Sequence, residues 1–120
     1  MSDKKILIVD DEPINIHLLS SLLDPPYSIL FATNGNDAVT RAIKQSPDLI
    51  LLDIILPDIS GYKVCKQLKE NIQTSNIPVI FLSALDADQS VNLGLELGAV
   101  DYIVKPYDLD LVQRKVSSYL

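Results

Sequence analysis

The chain has one cysteine, no long apolar run, and few positive charges for its number of acids. Cys65 has no second thiol to pair with, and it falls in a helical apolar pattern, so it reads as a small buried side chain in a reducing compartment. No stretch approaches the length of a membrane span, and the apolar run in MSDKKILIVDD is too short for a secretory signal. A cytoplasmic protein without a membrane partner is the expectation. Ten Lys and Arg face sixteen Asp and Glu, a formal net charge of -6. That balance disfavours the phosphate backbone of nucleic acid as a direct partner. There is also no internal repeat and no low-complexity tract, and 120 residues correspond to a single domain, 1–120, with a core that needs no metal or disulfide.

What is present is an alternation. Five short apolar runs, Ile6 to Val9, Tyr27 to Ala32, Leu49 to Leu52, Pro78 to Leu82 and Tyr102 to Val104, read as strands covered on both faces. Five helices are predicted between and after them: Glu12 to Leu23, Asn36 to Gln45, Gly61 to Glu70, Asp86 to Leu97 and Asp108 to Tyr119. The first opens with an acid and Pro13 and carries Ile14, Leu18 and Leu22 on one stripe, with Ile16, Leu19 and Leu23 beside it. Gly98 is a natural stop for the fourth. This (βα)5 pattern predicts an α/β fold, a doubly wound five-stranded parallel sheet with helices on both faces. In such sheets ligands bind beyond the carboxyl ends of the strands.

Polar residues gather there. Asp10 and Asp11 follow the first strand, Asp53 the third, Ser83 the fourth and Lys105 the fifth. Each has an ordinary explanation: Asp11 as a helix N-cap, Ser83 as a turn residue, Lys105 as a solvated lysine before proline. Asp53 is harder to explain so, because it lies between Leu49–Leu52 and Ile54–Leu56, where a desolvated carboxylate needs a partner. Carboxylates about 4 Å apart repel by about 4 kcal/mol at an effective dielectric near 20. The cluster therefore calls for a cation or a proton, and oxygen ligands without Cys or His suit Mg²⁺ or Mn²⁺. A divalent ion, a lysine and a hydroxyl around Asp53 suit phosphoryl transfer to an aspartate nucleophile, with Ser83 bonding the attached group.

The segments ILIVDDEP, LILLDIILPDISG, VIFLSA and GAVDYIVKPY resemble the receiver domains of two-component response regulators over the whole chain. Their order and spacing agree: 83 − 53 is 30 positions and 105 − 83 is 22. The resemblance implies the flavodoxin-like strand order 2-1-3-4-5. It implies that Asp53 is the phospho-acceptor, served by a histidine kinase or phosphotransfer protein. Asp11 and Asp53 would bind Mg²⁺ directly, Asp10 through water, and the backbone carbonyl of Ile55 would complete the set. Lys105 would pair with Asp53 or its phosphoryl group across a cis Lys105–Pro106 bond, and Tyr102 would be the switch aromatic that turns inward as Ser83 moves. The output surface would be the fourth helix, fifth strand and fifth helix, acting on a downstream domain or protein, with homodimerisation on phosphorylation left open. Tyr107 stands where the family more often has phenylalanine; Ala84, Leu85 and Ile55 occupy positions that set access and phosphoryl lifetime.

Two other functions compete with this reading. An aspartate-nucleophile phosphatase of the dehalogenase type wants Asp-x-Asp, whereas Ile55 follows Asp53 at that spacing and Glu12 follows Asp10. A pure interaction module on the same fold would have lost a site residue, and none is lost. The expectation is a switch whose only chemistry is its own phosphorylation and dephosphorylation, not an enzyme. His17, the only histidine, reads as a helix-surface residue.

Overall fold

The computed structural model describes residues 4–83 and 93–120. Strands β1 (Lys5–Val9), β2 (Ser28–Ala32), β3 (Leu49–Asp53), β4 (Val79–Ser83) and β5 (Asp101–Val104) form one parallel sheet in the order β2-β1-β3-β4-β5. Helices α1 (Pro13–Leu23), α2 (Gly35–Gln45) and α3 (Gly61–Glu70) follow the first three strands. Residues 93–96 are helical (α4), and α5 (Leu109–Tyr119) follows β5. The start of the predicted fourth helix, with Ala84 and Leu85, lies outside the described residues.

Side chains alternate along a strand, so each strand feeds two layers. Leu7, Val9, Ile50, Leu52, Val79 and Phe81 pack on one face with Ala38 and Ala42 of α2 and Val64, Cys65 and Leu68 of α3. On the other face Ile6, Ile8, Leu49, Leu51, Ile80 and Leu82 meet Ile16, Leu19 and Leu23 of α1 and Val112 and Val116 of α5. Two-sided burial is why these runs are continuously apolar, each buried aliphatic contributing about 1.5–3 kcal/mol.

The α1 stripe needs correction. Its core residues are Ile16, Leu19 and Leu23, whereas Ile14 is 73% exposed and Leu18 40%. Asp11 as an N-cap is corrected too: Glu12 holds that position without a side-chain cap bond. Elsewhere the helix starts are capped, by Asn34 for α2, Ser60 for α3 and Asp108 for α5. Gly98 ends α4 with φ +106°, in the left-handed region that favours glycine.

The register fixes where the strands deliver their ends. Val9 pairs with Leu52, Asp53 with Leu82 and Ser83 with Val104, so Asp10, Asp53, Ser83 and Lys105 emerge together at one edge.

Candidate functional site

At that edge Asp10, Asp53 and Ser83 are buried, while Asp11 and Glu12 are exposed. Asp10 and Asp53 are the residues at which the chain leaves two adjacent, fully covered strands. Lys105 reaches back from the end of β5 across a cis Lys105–Pro106 bond. Its Nζ donates to Asp53 Oδ2 at 2.8 Å and lies 3.6 Å from Asp10 Oδ2. One ammonium thus faces two carboxylates. The remaining oxygens take backbone donors: Asp53 Oδ1 accepts from the Ile55 N–H at 3.2 Å, and Asp10 Oδ1 from the Glu12 N–H at 3.0 Å. Removing one member of such a buried pair costs about 3–5 kcal/mol, because the other charge is left unpaired.

Burial, with the charge of Asp53 added, holds the Asp10 carboxyl above its ordinary 3.8, although the Glu12 N–H and Lys105 oppose it. For Lys105 burial works against the charged form. The Asp53 bond and the charges of Asp53, Asp10 and Glu12 outweigh it and hold the ammonium above its ordinary 10.5. Burial also pushes the Tyr107 phenol well above its ordinary 10.0, with Asp10, Asp53 and Glu12 adding to the effect.

Above these groups opens a cleft of about 240 Å³ lined by Asp11, Glu12, Asp53, Ile55, Ser83 and Lys105. A larger hollow of about 690 Å³ lies on α5 between Asp110, Arg114 and Ser118, but it holds none of the buried acids and faces open solvent. The buried acid Asp53 and Lys105 line the smaller one. Oxygens of Asp10, Asp11 and Glu12 lie within 4.8 Å of one another, a set that could hold a cation. Asp53 is not in that set; its carboxylate is engaged by Lys105 instead.

A family model for the response regulator receiver domain matches residues 6–117. The chain belongs to this family. It is 43% identical over 120 residues to a probable cyclic di-GMP phosphodiesterase of Vibrio cholerae, covering all of this chain and 27% of that protein. It is 35% identical over 117 residues to protein PilH of Pseudomonas aeruginosa, covering 97% of each. A response regulator structure from Chloroflexus aurantiacus superposes with a TM-score of 0.93 at 29% identity, over 98% of both chains. The receiver therefore spans about a quarter of one relative's length and nearly all of another's.

The receiver's site unites Asp10, Asp53 and Lys105 by direct contact and sets Asp11, Ile55 and Ser83 around the same cleft. Tyr102 stands elsewhere, half-buried against the α2–α3 layer. The Lys115 Nζ lies 4.7 Å from its ring centroid and donates to the Tyr102 carbonyl at 2.7 Å and to Asp101 Oδ1 at 3.0 Å. His17 is exposed on α1. Sequence reasoning missed three residues. Glu12 joins the acidic set, and the run Asp-Asp-Glu was the available signal. Asp58 accepts from the N–H groups of Gly35 and Asn36 at 2.7 and 2.9 Å, tying the loop after β3 to the start of α2. The third is Lys115. Neither Asp58 nor Lys115 left a local pattern, since their partners lie far away in sequence. No helix among the described residues is long and apolar enough to cross a membrane.

Proposed function

We propose that this receiver is a phospho-acceptor switch in which Asp53 takes a phosphoryl group from a phosphohistidine on a histidine kinase or phosphotransfer protein. The observation that carries the reading is the Lys105 ammonium held between Asp53 and Asp10 at the base of an open acidic cleft. An Asp53 oxygen attacks phosphorus and forms the O–P bond. The P–N bond breaks, and the imidazole nitrogen leaves with the electron pair and takes up a proton. Lys105 then turns from the carboxylate to a phosphoryl oxygen, and the Ser83 hydroxyl donates to another.

The donor set fits a hard divalent cation: it offers carboxylate oxygens without thiolate or imidazole, and buried Asp10 Oδ2 has no hydrogen-bond partner among the described residues. Asp11, Asp53 and the Ile55 carbonyl would hold Mg²⁺, with Asp10 bonded to its water; Mn²⁺ has the same ligand preference. Bound there, the ion supplies positive charge to the transferring oxygens.

The output is a population shift, in which the phosphoryl group binds one arrangement of Ser83 and Tyr102 better than the other and so alters the α4–β5–α5 surface. Residues 1–120 act as one receiver unit, and dimerisation on phosphorylation is one form the output can take. The chemistry is confined to the protein's own phosphorylation and dephosphorylation, in the cytoplasm. A downstream domain or protein reads the result, without direct contact between the acidic receiver and nucleic acid. Intact mass after incubation with acetyl phosphate, with and without Mg²⁺ and beside Asp53→Asn, tests this. One phosphoryl group that needs Mg²⁺ and Asp53 is expected. No adduct from acetyl phosphate or from a kinase, together with no beryllium fluoride binding, would leave a domain that works by binding alone.

A further inference from the structure

Two buried side-chain oxygens lack a hydrogen-bond partner among the described residues, Asp10 Oδ2 and Tyr107 Oη. The proposed function accounts for the first through the ion's water and Lys105. It gives the second nothing to do. A buried hydroxyl without a partner loses the hydration it had in the unfolded chain, and a phenylalanine would fill the same space without that loss. The hydroxyl therefore needs a polar neighbour, and the chain points to one. Tyr107 lies two residues beyond Lys105, whose Nζ is 3.6 Å from the unpartnered Asp10 oxygen. Tyr107 also packs against the layer that contains Ile6 and Ile8, on the strand that leads into Asp10. Among the charges acting on its phenol, Asp10 comes first, ahead of Asp53 and Glu12. No direct bond spans the gap.

We infer that Tyr107 is a positioning residue of the acidic pocket: its hydroxyl donates, through one bound water, to Asp10 Oδ2. A water in such a place needs polar partners on both sides, and these two oxygens provide them. The consequence concerns the moment at which Lys105 follows the phosphoryl group. Asp10 then loses its cation, and Tyr107 keeps the carboxylate aimed at the metal site. Only this consequence rests on the proposed function.

The test is a double-mutant cycle of Tyr107→Phe and Asp10→Asn, read by thermal unfolding in EDTA, with Mg²⁺ titrated calorimetrically into wild type and Tyr107→Phe. Phenylalanine keeps the ring's packing and removes only the hydroxyl. The change in Tm caused by Tyr107→Phe is expected to shrink or vanish in the Asp10→Asn background, and Mg²⁺ affinity to fall about three- to tenfold, the worth of one ordinary hydrogen bond. The same Tm change in both backgrounds would overturn the inference, and an unchanged Mg²⁺ affinity in Tyr107→Phe would overturn its consequence at the metal site. The cycle is metal-free, so a wild type that bound no Mg²⁺ or took up no phosphoryl group would defeat the proposed function and leave the cycle to decide Tyr107.

Discussion

Helices α1 and α2 are each eleven residues long, yet their N-termini are built in opposite ways. The first three N–H groups of α2 all have carboxyl or amide acceptors: Asp58 takes those of Gly35 and Asn36, and Asn34 takes that of Asp37 at 2.8 Å. At α1 three acids stand in the right place and none caps the first turn. Asp10 accepts the N–H of Glu12 and turns its other oxygen towards Lys105, and the Glu12 side chain makes no cap bond. Acids that would ordinarily satisfy helix donors face the acidic cleft and Lys105 instead. The first helix instead depends on Pro13 at its start and on the burial of Ile16, Leu19 and Leu23. One helix start serves the scaffold and the other serves the site, and the comparison can be tested at each.

The largest effect is expected where site and scaffold share atoms. A Cβ on Gly61, at the start of α3, would collide with the backbone carbonyl of Asp53 and sit 2.8 Å from the Ile54 Cα. Backbone under a strand end cannot step aside, so Gly61→Ala should cost about 3 kcal/mol by urea unfolding and lower phosphoryl uptake by displacing Asp53. At Gly35 the nearest atoms to an added Cβ belong to the side chains of Ile59 and Val64 rather than to backbone. Gly35→Ala should cost clearly less, and equal losses would show that α2 is no freer of the site than α3.

Next in size is the cap itself. Asn34→Ala should destabilise by about 1 kcal/mol, the usual loss of an N-cap acceptor. Glu12→Ala, at the equivalent position of α1, should change stability by less than about 0.5 kcal/mol, since it removes an exposed acid that caps nothing. A loss at Glu12 as large as that at Asn34 would break the comparison.

The same contrast explains what could be read from the residues. Every strand lies within one residue of its expected span; burial on both faces makes the runs of β1, β3 and β4 apolar, whereas the edge strands β2 and β5, expected to be covered on both faces, leave Phe31 and Val104 exposed. Asp10, Asp53, Ser83 and Lys105 were legible together because a parallel sheet delivers all its strand ends to one edge. The α1 stripe was not. Ile14, Leu18 and Leu22 are as apolar as Ile16, Leu19 and Leu23, so periodicity had two candidate faces, and only the position of the sheet chooses between them. Asp58 gives no signal of its own, because the N–H groups it accepts from, those of Gly35 and Asn36, lie more than twenty positions earlier and no local spacing encodes that bond. Lys115 was invisible for the same reason: it meets Asp101 and Tyr102 only once α5 has packed beside β5.

The smallest effect separates charge from geometry at the start of α2. The N–H groups of Gly35 and Asn36 hold the Asp58 carboxyl below its ordinary 3.8. A carboxyl whose folded value is depressed adds stability that is fully present above 3.8 and is lost as the pH falls through the lowered value, because the unfolded chain binds the proton first. Asp58 is fully exposed, so solvent and salt screen its charge and its contribution should be smaller than that of Asn34. Thermal unfolding of wild type and Asp58→Asn should show wild type ahead at pH 6, with the gap closing below pH 3.8. Asparagine keeps one acceptor oxygen but neither the charge nor the second acceptor. A gap that persisted in full at the acid end would therefore mean that the two-point geometry, and not the charge facing the positive end of the helix, ties the loop after β3 to α2.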